Sequence, residues 1–210
     1  MKIGVFFESL VNSGGGISAS LTRLNFLTKS LENKDSYICF VTNKHSYEFL
    51  KKKNFDNLIY FKINFFFKLL LFLHSITFTK KIFSILKILN PLEKYLGKHK
   101  IDLLYFISPS SFVRFCNSTP FIYSIWEMQH RSIPYFPEYR ETKGSQITFL
   151  LREESYKYAS DLAFKILVDT EKTKEDIKKA YNVDRKKLFE IQPFVPNLPA
   201  YYEKIRDKYN

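Results

Sequence analysis

Cysteine is scarce in this 210-residue chain: only Cys39 and Cys116 occur, each in an apolar stretch with no Cys or His at metal-ligand spacing. That excludes a zinc site and a disulfide framework, and reads as two buried thiols in a reducing compartment. Glycine is also sparse, and three of the six stand together as Gly14-Gly15-Gly16. The most apolar stretch, Phe65 to Phe78, is broken by Lys68 and His74. It falls short of the ~20 residues that span a bilayer, so no transmembrane segment is assigned. The N-terminus lacks a basic segment followed by an apolar one and a cleavage site, which leaves the cytoplasm as the expected compartment.

What is present can build a core. A hydrophobic fraction of 45% with 18% aromatics excludes a disordered polymer. The length suits one large domain or two small ones, with one as the default. Of the net charge of +12, nine units lie between Lys44 and Lys100, where twelve Lys face Glu48, Asp56 and Glu93. An evenly spread basic coat would suit nucleic acid. A basic block interleaved with Phe and Leu fits an anionic membrane surface better, so no nucleic-acid partner is expected.

The order of elements reads as α/β. Strands are expected at 2–7, Tyr37–Thr42, Asn57–Ile63, Ile101–Phe106, Phe121–Ile125, Phe164–Val168 and Leu188–Ile191. Helical patterns at Ser18–Glu32, Tyr47–Lys53, Gln146–Leu162 and from Asp169 or Thr170 to Tyr181 alternate with them, as in a parallel sheet flanked by helices. In the 146–162 helix, Ile147, Leu150, Leu151, Tyr158 and Leu162 fall on one side. From Thr77, polar Thr77, Lys80, Lys81, Ser84 and Lys87 oppose Phe78, Ile82, Ile85 and Leu89. Phe65–Leu89 is therefore either a surface helix on its own sheet or a peripheral membrane contact. Asn90-Pro91 ends that pattern, and Ser108-Pro109-Ser110-Ser111 reads better as a helix cap than as an anion site.

Two stretches invite chemistry. Gly14, Gly15 and Gly16 lie between the first strand and first helix, where backbone N–H groups at a helix start can hold a phosphate; a plain flexible turn explains them equally well. The spacing is neither GxGxxG nor Walker A. The other stretch is Trp126–Glu138, just past the carboxyl end of the fifth strand, where open α/β sheets bind ligands. Pro134 and Pro137 fix its path, and His130 stands in it, either a satisfied loop histidine or a site residue. Glu127 and Glu138 read as polar anchors.

These pieces in this order, together with Val168-Asp169-Thr170-Glu171 and Ile191-Gln192-Pro193-Phe194-Val195-Pro196, resemble the N-terminal domain of retaining GT-B glycosyltransferases, in particular family 4, the "glycosyl transferases group 1" class. The resemblance implies a Rossmann-like acceptor-side domain over 1–195, with 196–210 the start of an interdomain linker or tail. The C-terminal domain that binds the donor would be absent. It further implies transfer of a sugar from a nucleotide-sugar donor to a glycan or lipid-linked acceptor at the inner membrane face, with no metal or other cofactor. Gly14, Gly15 and Gly16 would lie beside the donor diphosphate, and His130 matches the histidine that contacts the transferring sugar. The family's paired glutamates and Arg/Lys on the diphosphate have no counterpart in these 210 residues, so turnover would need a missing domain or partner subunit. The competing reading is a non-catalytic, membrane-associated binding or scaffold module with a Rossmann-like shell. A dinucleotide oxidoreductase fits less well, because Thr42-Asn43 stands where an acidic residue would end the second strand.

Overall fold

The computed structural model describes residues 1–11, 15–31, 35–75, 90–133 and 143–191. Seven strands form one parallel sheet: β1 (Lys2–Phe7), β2 (Ser36–Val41), β3 (Leu58–Tyr60), β4 (Leu103–Phe106), β5 (Phe121–Ile125), β6 (Lys165–Val168) and β7 (Leu188–Glu190). Their order is β3-β2-β1-β4-β5-β6-β7, the doubly wound arrangement whose direction reverses between β1 and β4. In register, Val5 lies opposite both Cys39 and Tyr105, so the three central strands end together at one carboxyl edge.

Alternation along β1 builds two cores. Val5 and Phe7 face a cluster with Leu24, Cys39, Val41 and Leu50 under α1 (Gly15–Ser30) and α2 (Lys44–Lys52). Phe6 faces the other side, with Phe40, Phe106, Tyr123 and Tyr156. That side is covered by α3 (Phe65–Ser75), α4 (Pro91–Lys98), α6 (Lys143–Leu162) and α7 (Glu171–Tyr181). A one-turn helix, α5 (Gln129–Ser132), follows β5. Period-2 side-chain placement leaves such strands apolar on both faces, as the near-continuous Ile, Val and Phe runs require.

Caps fix the helix starts. Asn43 accepts from the Ser46 N–H at 3.1 Å, Asn90 from Glu93 at 3.0 Å and Thr170 from Thr173 at 3.1 Å. Asn90-Pro91 thus opens α4, with Pro91 in the first turn where its missing N–H costs nothing. Ser110 accepts from Phe112 at 3.2 Å and starts the 3₁₀ turn Ser111–Phe115, the capping role expected of that serine loop. Two sequence expectations need correction. The third strand is three residues rather than seven. The buried side of α6 carries Tyr156 and Ala159, whereas Ile147, Leu150 and Leu162 are exposed.

Of the membrane-facing expectation, α3 is described and exposes Phe65 (82%), Phe66 (64%) and Leu69 (41%). Residues 76–89 lie outside the described residues. No helix among the described residues is long and apolar enough to cross a membrane.

Candidate functional site

The strand order reverses between β1 and β4, the place where open α/β sheets form a ligand crevice outside the strands' carboxyl ends. Arg23 of α1, 5% exposed, reaches across it: its guanidinium donates to the Ile107 carbonyl at 3.2 Å and to the Asp169 carboxylate, and lies 5.4 Å from the Trp126 ring centre. One side chain therefore ties the ends of β4, β5 and β6 together. Burial pushes the Asp169 carboxyl above its ordinary value, with Arg23 pulling it back.

His130 is fully buried, in the turn of α5. Its Nε2 lies 3.1 Å from Glu153 Oε2, and its ring meets Tyr156 and Phe149 edge-on at 5.2 and 5.5 Å. Arg131 also binds Glu153, through Nε at 2.9 and 3.1 Å and through its terminal nitrogen, and packs 4.8 Å over Tyr181. Burial holds His130 below the usual histidine value, against the opposing pull of Glu153. The imidazole is thus kept toward its neutral form. Burial would raise Glu153, but the Arg131 and Tyr181 hydrogen bonds and nearby positive charge hold it below its ordinary value. The result is an ionised carboxylate clamped between a guanidinium and a neutral imidazole.

Glu127 anchors the turn beneath, accepting from the Gln129 N–H and from Arg152 at 2.6 Å. Glu8, immediately past β1, is held above its ordinary value by burial, partly offset by Ser110; its Oε2 is buried with no protein hydrogen-bond partner. Between the β4 loop and α6 lies an open cavity of about 220 Å³ with Ser110, Tyr123, Ser155 and Tyr156 at its floor and Ser111, Thr148 and Arg152 at its rim.

The site residues expected from sequence are thus partly assembled. His130 sits just past the carboxyl end of β5 as expected, but buried against Glu153 and Tyr156. Gly15 and Gly16 begin α1, whose first turn holds no acidic residue, and an added methyl at Gly15 would meet nothing within 4 Å. Gly14, and residues 134–138 of the His130 stretch, including Glu138, lie outside the described residues. Sequence reasoning missed Glu8, Arg23, Arg152 and Glu153. The charged triplet Arg152-Glu153-Glu154 inside an otherwise mixed helix was the available signal. Among the described residues no group of three or more His, Cys, Asp or Glu could hold a metal.

A scan against protein-family models finds no match, and neither does a search of curated proteins. Solved structures do match. The crystal structure of Anabaena HepE with UDP-glucose aligns over 100% of this chain and 50% of that one, at a TM-score of 0.57 and 13% identity. HepE with UDP and glucose aligns over the same shares at 0.58 and 15%. A glycosyltransferase from Rickettsia africae aligns at 0.49, too loosely to argue from. The chain spans about half the length of the HepE structures it matches. At this identity the likeness establishes the fold: a Rossmann-like α/β sheet matching half of a GT-B chain.

Proposed function

We propose that this chain is the acceptor-side half of a retaining glycosyltransferase similar to family 4, which moves a sugar from a nucleotide-sugar donor to a glycan or lipid-linked acceptor at the membrane surface. The observation that carries the reading is the crevice where the sheet reverses. There the start of α1 and the His130–Glu153–Arg131 cluster share one edge of a sheet matching half of HepE, whose crystal structures contain UDP-glucose or UDP and glucose.

The chemistry suits the parts. Departure of a nucleoside diphosphate develops charge that N–H donors stabilise, and the first-turn N–H groups of α1 at Gly15 and Gly16 are donors of that kind. A neutral His130 can hydrogen-bond a hydroxyl of the transferring sugar by exchanging Glu153 for it, and Glu153 remains neutralised by Arg131. The test is transfer of label from a panel of nucleotide sugars by the chain joined to a donor-binding half, with His130→Ala alongside. Transfer that survives His130→Ala unchanged, or its absence with every donor, contradicts the reading.

Exposed Phe65, Phe66 and Leu69 on α3, within the basic block Lys44–Lys100, favour an acceptor held at an anionic membrane. They would serve equally a non-catalytic membrane-binding module. Co-sedimentation with anionic vesicles that weakens with salt supports the surface contact, and equal lack of binding to anionic and neutral vesicles removes it.

A further inference from the structure

One face of the sheet is covered unevenly. The inner strands β4, β5 and β6 are sealed on the side of α3, α4, α6 and α7, where Leu104, Phe106, Phe121, Tyr123 and Ile166 are at most 2% exposed. On the other side Leu103, Ile122 and Leu167 of the same strands are only partly buried. Strand order explains the difference. β1 to β3 step one way across the sheet and β4 to β7 the other, so right-handed crossovers put their helices on opposite faces. Among the described residues, α1 and α2 are the helices on the second face. A parallel sheet in water normally has both faces covered along its whole width.

What is left is an open groove of about 360 Å³, floored by Ile3, Leu103, Tyr105, Ile122, Leu167 and Ile191 and walled by Phe26 and Leu27 of α1. Of the polar side chains at its margin, Arg23 already bonds Ile107 and Asp169, and the Tyr105 hydroxyl lies 3.4 Å from that of Ser124. The groove therefore matches an apolar surface.

Ile191 points to the occupant. Its N–H donates to the Val168 carbonyl at 2.7 Å, and it lines the groove, so the chain leaves the sheet at the groove's own edge. Nineteen residues follow. Pro193, Pro196 and Pro199 recur every third residue, which suits an extended connector, and the nine residues 192–200 then reach ~28 Å at ~3.1 Å each. Crossing the four strand spacings from β7 to β1 needs only ~19 Å. In residues 201–210, Tyr201, Tyr202, Ile205 and Tyr209 fall within a ~100° stripe of a helix, and Glu203, Lys204, Asp207 and Lys208 fall outside it. Such a helix is ~15 Å long, close to the ~16 Å of five strand residues.

We propose that residues 201–210 fold back as an amphipathic helix, seat Tyr202, Ile205 and Tyr209 in this groove and complete the cover of the sheet. Tyrosine suits the task, because its ring is buried while its hydroxyl stays at the wet rim. Residues 196–210 are then a docked tail and not a free linker. Because α1 forms the wall, the tail also braces the helix whose first turn carries Gly15 and Gly16. The inference goes beyond sugar transfer and stands without it.

The test is methyl and aromatic NMR of the unaltered 210-residue chain, with amide hydrogen exchange alongside. Nuclear Overhauser contacts should join the methyl groups of Ile3, Ile122 or Leu167 to the rings of Tyr202 or Tyr209. An isolated helix of this length is marginal in water, so exchange across residues 204–209 slowed at least ~10-fold below the unfolded rate reports docking. Ile205→Asp should erase the contacts, restore the unfolded exchange rate and shift the groove methyls, while Leu104 and Ile166 on the sealed face keep their positions. Lys204→Ser, on the far side of the helix, should do none of these. Absence of the contacts in the unaltered chain, or their survival in Ile205→Asp, overturns the proposal. So do contacts that pass between differently labelled molecules, which would make the occupant a second copy. Saturable binding of anilinonaphthalenesulfonate that shifts the groove methyls without altering exchange at residues 204–209 overturns it as well, since the groove would then be a small-molecule site.

Discussion

Removing the buried Arg23 should loosen the carboxyl edge. In Arg23→Met the Ile107 carbonyl, now 3.2 Å from a guanidinium nitrogen, loses its donor, and the Asp169 carboxylate loses its counter-charge. Breaking a fully buried ion pair from one side costs about 3–5 kcal/mol. Asp169 is 21% exposed, so water recovers part of that. Adding the stranded carbonyl and the lost contact with Trp126, worth about 0.5–1 kcal/mol, gives a net loss of about 3 kcal/mol. For a chain of this length that is roughly 6–12 °C in the thermal midpoint.

Trp126 is the single tryptophan and lies against Arg23, so its fluorescence reports unfolding of this edge in a urea series. The sign with pH also follows. Burial already raises Asp169, so its ionisation costs stability as pH rises through its folded value, and without Arg23 it is raised further. The deficit of Arg23→Met should therefore shrink toward acid. Arg23→Met/Asp169→Asn should be less destabilised than the two single changes added together, by at least about 1 kcal/mol. A single mutant within about 0.5 kcal/mol of the parent, or strict additivity, would refute the clip.

Three further outcomes follow from buried polar groups and thiols. Glu93 accepts the N–H groups of Asn117, Ser118 and Thr119 at 2.6, 2.9 and 3.2 Å and the Thr119 hydroxyl at 2.7 Å, so Glu93→Ala should cost about 2–4 kcal/mol in urea denaturation, and Glu93→Gln less. His130 is held below its unfolded value of about 6.5, so the unfolded chain binds the extra proton and stability should fall as pH drops from about 7 to 5, measured as thermal midpoint. Glu153, also held low, adds a loss further into the acid range, and His130→Gln should flatten only the upper part. Cys39 and Cys116 are buried with thiols raised by burial, so an alkylating reagent at neutral pH should label neither until urea unfolds the chain.

Much of the sheet was legible because buried parallel strands write themselves as short apolar runs: Lys2–Phe7 and Phe121–Ile125 have the bounds the sequence suggests. The parallel sense of the sheet followed from alternation, and the resemblance supplied the fold that the HepE comparison shares. The α6 face was misread because its apolar residues surround the helix. Packing selected Tyr156 and Ala159, the side that also carries Glu153 toward His130. The location of His130 was legible, but its burial was not, since the partner that covers it stands 23 residues away. Arg23 and Asp169, 146 residues apart, are joined only by the sheet order.

The claim that the transferring sugar meets the carboxyl edge at the β1–β4 reversal is tested most directly by photo-crosslinking the chain joined to a donor-binding half with a UDP-glucose analogue carrying an azide on the glucose, followed by peptide mass spectrometry. Label on peptides carrying Gly15–Gly16 and Gln129–Ile133, competed away by unlabelled UDP-glucose, is the predicted result. Competable label confined to the opposite edge, at Asn117–Pro120 or Lys98–Asp102, or no competable label at all, would contradict it.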